Sequence, residues 1–211
     1  MSTNRLEAFS DGVFAIAITL LVLEIHVPEP GSGELGHELA AQWPSYAAFV
    51  ISFLTIGIIW INHHAMVRRL RVVDHSILIW NLLLLMTVSF LPFTTALMAA
   101  YLKEGQGESL AAAIYSGSFL LMGLVFAGMN RHILFRRVHL LGVDADEEAR
   151  RLALRRGVLG LAPYLVATLL APLTPYITLA ICAAVAIYYA QSFAAPDASG
   201  DADSETSSSG T

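Results

Sequence analysis

The chain has 211 residues, 56% of them hydrophobic and only 14% charged, against about 25% charged in ordinary soluble domains. That composition puts it in a membrane and excludes an ordinary soluble domain. Its single cysteine, Cys182, excludes an internal disulfide and a Cys-based metal cluster, and the net charge of -5 matters less than where the charges lie.

The first predicted element runs from Arg5 to Glu24. Its uninterrupted apolar part, Val13 to Leu23, would rise roughly 16 Å as a helix, about half of a ~30 Å hydrocarbon core. A helix crossing here must therefore carry Phe9, Ser10 and Asp11 into the bilayer. An ionisable group at that depth is costly and is a functional candidate by default. At about 100° per residue, Arg5, Phe9, Gly12, Ile16, Leu20 and Leu23 share one stripe, while Ser10 and Asp11 point elsewhere. One face is smooth and aliphatic, the other hydrogen-bonding. Glu24-Ile-His-Val-Pro follows with no small-residue cleavage site, so the segment is expected to be a retained anchor.

A Pro/Gly-rich acidic connector comes next, carrying Glu24, Glu29, Glu34 and Glu38 and no Lys or Arg. The second predicted span, Tyr46 to Met66, ends in Trp60-Ile-Asn-His63-His64 ahead of Arg68, Arg69 and Arg71. The third, Ile77 to Tyr101, has Trp80-Asn81 near its start and Pro92 inside, which neighbouring helices can accommodate. The fourth, Leu110 to Met129, holds Ala111, Ala112, Ala113, Ser116, Gly117 and Ser118, small residues that favour close helix contact. A connector with seven arginines and the run Asp144-Ala-Asp146-Glu147-Glu148 precedes the last two spans, Val158 to Leu170 and Tyr176 to Phe193. The fifth is short, so the turn around Arg155 and Arg156 is expected at the interface. Residues 1–193 form the expected six-helix transmembrane domain, and 194–211 an acidic, Ser-rich disordered tail.

Six spans put both termini on one side. Eleven of the twelve Lys and Arg residues fall there and only Lys103 falls opposite, the positive-inside pattern, which predicts cytoplasmic termini in a cell (inner) membrane.

Ser10, Asp11, Trp60, His63 or His64, Trp80 and Asn81 all lie near the same ends of their helices. They are predicted to form a hydrogen-bonded network that presents the first helix, the alternative being independent interfacial residues. Adjacent His63 and His64 diverge by about 100° on a helix and lack His-Glu-x-x-His spacing, so no metal site is expected. The serines and Cys182 lack any nucleophile context, which leaves an intramembrane enzyme without support. The arginine-rich connector is expected to be an ordinary loop in preference to an anionic-lipid site. From the residues alone, the Ile16, Leu20, Leu23 stripe is lipid-facing, core or pore-lining.

Arg5-x-x-x-Phe9-Ser10-Asp11 followed by Gly-Val-Phe-Ala-Ile-Ala-Ile-Thr-Leu-Leu-Val-Leu closely resembles the opening of the transmembrane protein 175 family of potassium channels, and the likeness extends from Thr3 to Phe193. The resemblance implies an all-α, polytopic fold and, for a chain with one six-span repeat, a homotetramer whose first helices line a central pore. It implies aliphatic constriction rings at Ile16, Leu20 and Leu23, a selectivity-associated Thr19, and a structural role for Arg5, Phe9, Ser10 and Asp11. The expected partners are other copies of the chain, the lipid bilayer, and potassium and other monovalent cations as permeants, with no cofactor and no nucleic acid. Glu24, just beyond Leu23, is expected at the outer mouth, where four copies would concentrate cations. The competing expectation is a proton-coupled secondary transporter using Asp11 and a histidine.

Overall fold

The computed structural model describes residues 3–29, 34–142 and 146–194. Helix α1 (Thr3–Leu20) runs into a 3-10 turn, Leu21–Glu24. A short α2 (Leu35–Ala41) precedes α3 (Trp43–Val67) and α4 (His75–Tyr101). Helix α5 (Glu108–Arg131) continues through a π-helical turn, His132–Arg136, and is followed by α6 (Glu147–Leu159), α7 (Ala162–Leu170) and α8 (Pro175–Ala194). Among the described residues, five helical stretches are long and apolar enough to cross a bilayer, and Pro175–Gln191 is a shorter sixth.

Three sequence expectations are corrected. The acidic connector contains the α2 turn of helix, and the second span starts at Trp43, where Pro44 suits a first helical turn because its missing N–H is not needed there. The fifth span is not a lone short helix, because charged α6 leads into α7 across a break at Gly160 and Leu161. Of the predicted tail, Ala194 closes α8 and the rest lies outside the described residues, as do Pro30 to Gly33, Asp144 and Ala145.

Helix α4 is central, packed on α1, α3 and α5. Its buried Leu84, Val88, Leu91 and Met98 meet Phe14, Tyr115, Phe119 and Met122 in one core. A bilayer supplies little hydrophobic drive between helices, so polar pairs and close packing must add to cohesion. Here Ser52 lies 2.8 Å from Thr95 and 3.0 Å from Tyr115, Thr94 lies 3.0 Å from Ser118, and Thr168 of α7 donates to Ser116 at 3.1 Å. The small residues of α5 thus sit where α4 and α7 come closest.

The two basic clusters gather at one end. The Arg71 N–H donates to the Leu140 carbonyl at 2.9 Å, the Gly142 N–H donates to the Arg69 carbonyl at 2.7 Å, and Arg137 pairs with Asp74 at 2.7 Å. At the other end Lys103 donates to the Ala41 carbonyl at 3.1 Å and sits 5.3 Å from the centre of the Trp43 ring. Gly107 starts α5 with φ of 80°, a left-handed conformation natural to glycine, and a side chain there would press on the Tyr101 ring.

Candidate pore-lining helix and its anchoring network

Because α1 is apolar over only half a bilayer, its polar residues must be satisfied by neighbours, and α3 and α4 supply the partners in two layers. The inner layer is fully buried. Ser10 donates to the Leu6 carbonyl at 2.8 Å and accepts from Asn81 Nδ2 at 3.0 Å. His63 Nε2 lies 2.8 Å from Asn81 Oδ1. A carbonyl oxygen only accepts, so with the amide in this orientation Nε2 carries the proton and His63 is in its Nε2–H tautomer. The Phe14 ring packs against that imidazole, centroids 5.5 Å apart.

The outer layer is partly exposed. The Trp60 indole N–H donates to Asp11 Oδ1 at 2.8 Å, and His64 Nδ1 lies 2.8 Å from Glu7 Oε1, an ion-pair contact outside hydrogen-bond geometry. Glu7 and Asp11 are one turn apart on α1, as Trp60 and His64 are on α3, and the helices run antiparallel, so the pairs match in register. Ligand atoms of Glu7, Asp11 and His64 converge to within 4.8 Å of one another. These three could hold a cation, though Trp60 already engages Asp11. Glu7 escaped the sequence reading, and its i, i+4 spacing to Asp11 was the available signal.

Interhelical hydrogen bonds in membranes contribute on average about 0.6 kcal/mol each, whereas stranding a buried partner costs about 1–3 kcal/mol. The network therefore chooses the rotation of α1 more than it adds stability.

Three expected members stand outside it. Trp80 is about 100° around α4 from Asn81, so while Asn81 faces α1, Trp80 packs towards His132 and fills the space left by Gly128. Arg5 is exposed and has no side-chain partner among the described residues, and Phe9 is 54% exposed, turned about 100° around the helix from buried Ser10.

The remaining face of α1 is uncovered in the protomer. Ile16, Leu20 and Leu23 are 61%, 42% and 69% exposed, flanked by exposed Gly12 and Thr19, whereas Leu6, Ser10, Phe14 and Ala17 are buried. Thr19 donates to the Ile16 carbonyl at 2.9 Å, which occupies its proton and leaves the oxygen lone pairs outward. Glu24 differs from expectation. In a 3-10 turn side chains at i and i+3 eclipse, so Glu24 lies above buried Leu21, not beside Leu23. It lines a cavity of about 330 Å³ with His26, Ser45, Phe93 and Tyr101.

These features define an all-helical, multi-pass membrane protein in which one helix is polar and anchored on one side, aliphatic and uncovered on the other. The family described as "Endosomal/lysosomal potassium channel TMEM175" matches residues 5–92. A potassium channel of Streptomyces collinus is 46% identical over 188 residues, 89% of this chain and 91% of its own length, and one of Chamaesiphon minutus is 43% identical over 191 residues. A crystal structure described as a lysosomal potassium-selective channel TMEM175 homologue from Chamaesiphon minutus superposes with a TM-score of 0.80 at 40% identity, covering 92% of this chain and 98% of that one. The chain belongs to the TMEM175 family.

Proposed function

We propose that the protein is a potassium-permeable channel conducting passively through a pore lined by the exposed face of α1 in a homotetramer. The bacterial relatives named as potassium channels support the activity. The observation that carries the mechanism is the division of α1. Exposure alone would not select it, since the α6–α7 stretch has a smaller buried share, 11% against 28%. What sets α1 apart is that Ser10 and Asp11 hold its rotation so that Ile16, Leu20 and Leu23 all turn outward. Several copies related by closed symmetry would bring these stripes together around an axis. The resulting rings carry no hydrogen-bonding group, so an ion passes hydrated through a widened pore or at high dehydration cost, and width and wetting set the conductance. Thr19, with its lone pairs outward, is the group beside the stripe able to favour one cation over another. The basic end, where α1 begins and α8 finishes, faces the cytoplasm by the positive-inside rule.

Single-channel recording from purified protein in planar bilayers tests this. Ile16→Asn should raise unitary current and loosen discrimination among potassium, sodium and caesium, while Ile18→Asn, which enters the packed side of the helix, should lower yield without changing unitary current. The reverse pattern would overturn the assignment of the pore face. The closeness of Glu7, Asp11 and His64 also suits a proton relay. Proton-coupled flux without discrete openings would favour that second reading.

A further inference from the structure

A second cavity, of about 340 Å³, lies away from α1 and α4, between α3, α5 and the α6–α7 break, with Tyr189 of α8 on its wall. Its size falls in the range of ligand sites, about 300–1,000 Å³. Along α3 it reaches from Met66 at the basic end to Thr55, eleven residues and so about 16 Å, from the interface towards mid-bilayer. The deep wall is mostly apolar, built from Ile58, Ile59, Phe119, Met122, Phe126 and Leu161, with Thr55 and Tyr164 also lining it. The mouth has Asn62, Asn130, Arg69 and Arg156, and among the described residues no Asp or Glu lines any part of it.

Three arginines at this end are engaged elsewhere. Arg137 pairs with Asp74, Arg151 with Glu147, and Arg150 donates to the Leu134 carbonyl. Arg69 and Arg156 have no side-chain partner among the described residues. A positive mouth over an apolar shaft at one membrane interface complements a molecule with an anionic head and a long apolar tail.

We propose that this cavity binds one anionic membrane phospholipid per chain, with its phosphate between Arg69 and Arg156 and one acyl chain running between α3 and α5 towards Phe119 and Tyr164. Glycine at position 157 keeps the α6 wall open. A Cβ built there meets nothing within 4 Å, so this lining position accepts a larger side chain without a clash.

Native mass spectrometry of the full chain in mild detergent, titrated with palmitoyl-oleoyl phosphatidylglycerol or the matching phosphatidylcholine, tests the assignment. The parent should retain one phosphatidylglycerol per chain in preference to phosphatidylcholine. Arg69→Gln and Arg156→Gln should each weaken that retention about fivefold, and Gly157→Leu should abolish retention of either lipid at this position. Thermal unfolding checks that each variant is folded, and should Arg156→Gln fail, the other two decide. Equal retention of both lipids by the parent, or unchanged preference in the variants, would overturn the proposal.

Discussion

Ser10 shows how one hydroxyl orients a helix. Its proton goes to the Leu6 carbonyl and its oxygen accepts from Asn81, whose own oxygen receives His63. Removing the hydroxyl would leave the Asn81 amide short of a partner in a fully buried position. Ser10→Ala, which introduces no bulk, should therefore destabilise the protomer by about 1–3 kcal/mol, seen as a lower thermal midpoint in detergent. An unchanged midpoint would mean that the inner layer does not hold α1.

At the scale of elements, the start of α4 ties together the basic end. Asp74 caps the helix, accepting from the Ile77 N–H at 2.9 Å and from the Ser76 hydroxyl at 2.8 Å, and it pairs with Arg137. Burial by itself would raise its carboxyl, but those two hydrogen bonds and the guanidinium outweigh it and hold the group below its usual value. A carboxylate lowered in the folded state stabilises the fold above its unfolded pKa, about 3.9, and loses that contribution as pH falls through the lowered value. Asparagine also caps helices well, so Asp74→Asn isolates the charge. The variant should be less stable by about 1 kcal/mol or less near neutral pH, as expected of a partly exposed pair, and the difference should shrink as pH falls below the unfolded value of about 3.9 and vanish once it has passed through the lowered value. A difference that persists at low pH would assign the effect to the cap and not to the charge.

For the whole molecule, the proposed function gives the uncovered aliphatic face of α1 its role through other copies. In a Cys182→Ala background, Ile16→Cys would place one thiol per chain on the proposed axis. Several thiolates converging on one point bind a soft divalent metal far more tightly than one does. Cadmium should then block the Ile16→Cys channel and leave Ile18→Cys conducting. Block of Ile18→Cys, with Ile16→Cys insensitive, would move the axis to another face. Native mass spectrometry should show four chains in mild detergent, and a population of monomers or dimers alone would remove the closed ring.

The spans, the helix periodicity and the two-faced character of α1 were legible in the sequence because hydropathy and a repeat of 3.6 are local properties. The bilayer's length requirement, set against the short apolar run Val13 to Leu23, was enough to single out Ser10 and Asp11. The partners of those residues depended on packing. Nothing in the order of residues says that Glu7 meets His64, that Asn81 faces α1 while Trp80 turns to α5, or that a 3-10 turn swings Glu24 away from Leu23. Each follows from the register between helices and from a small change in residues per turn. Such register is decided by side chains far apart in the chain, so only the tertiary structure could specify it.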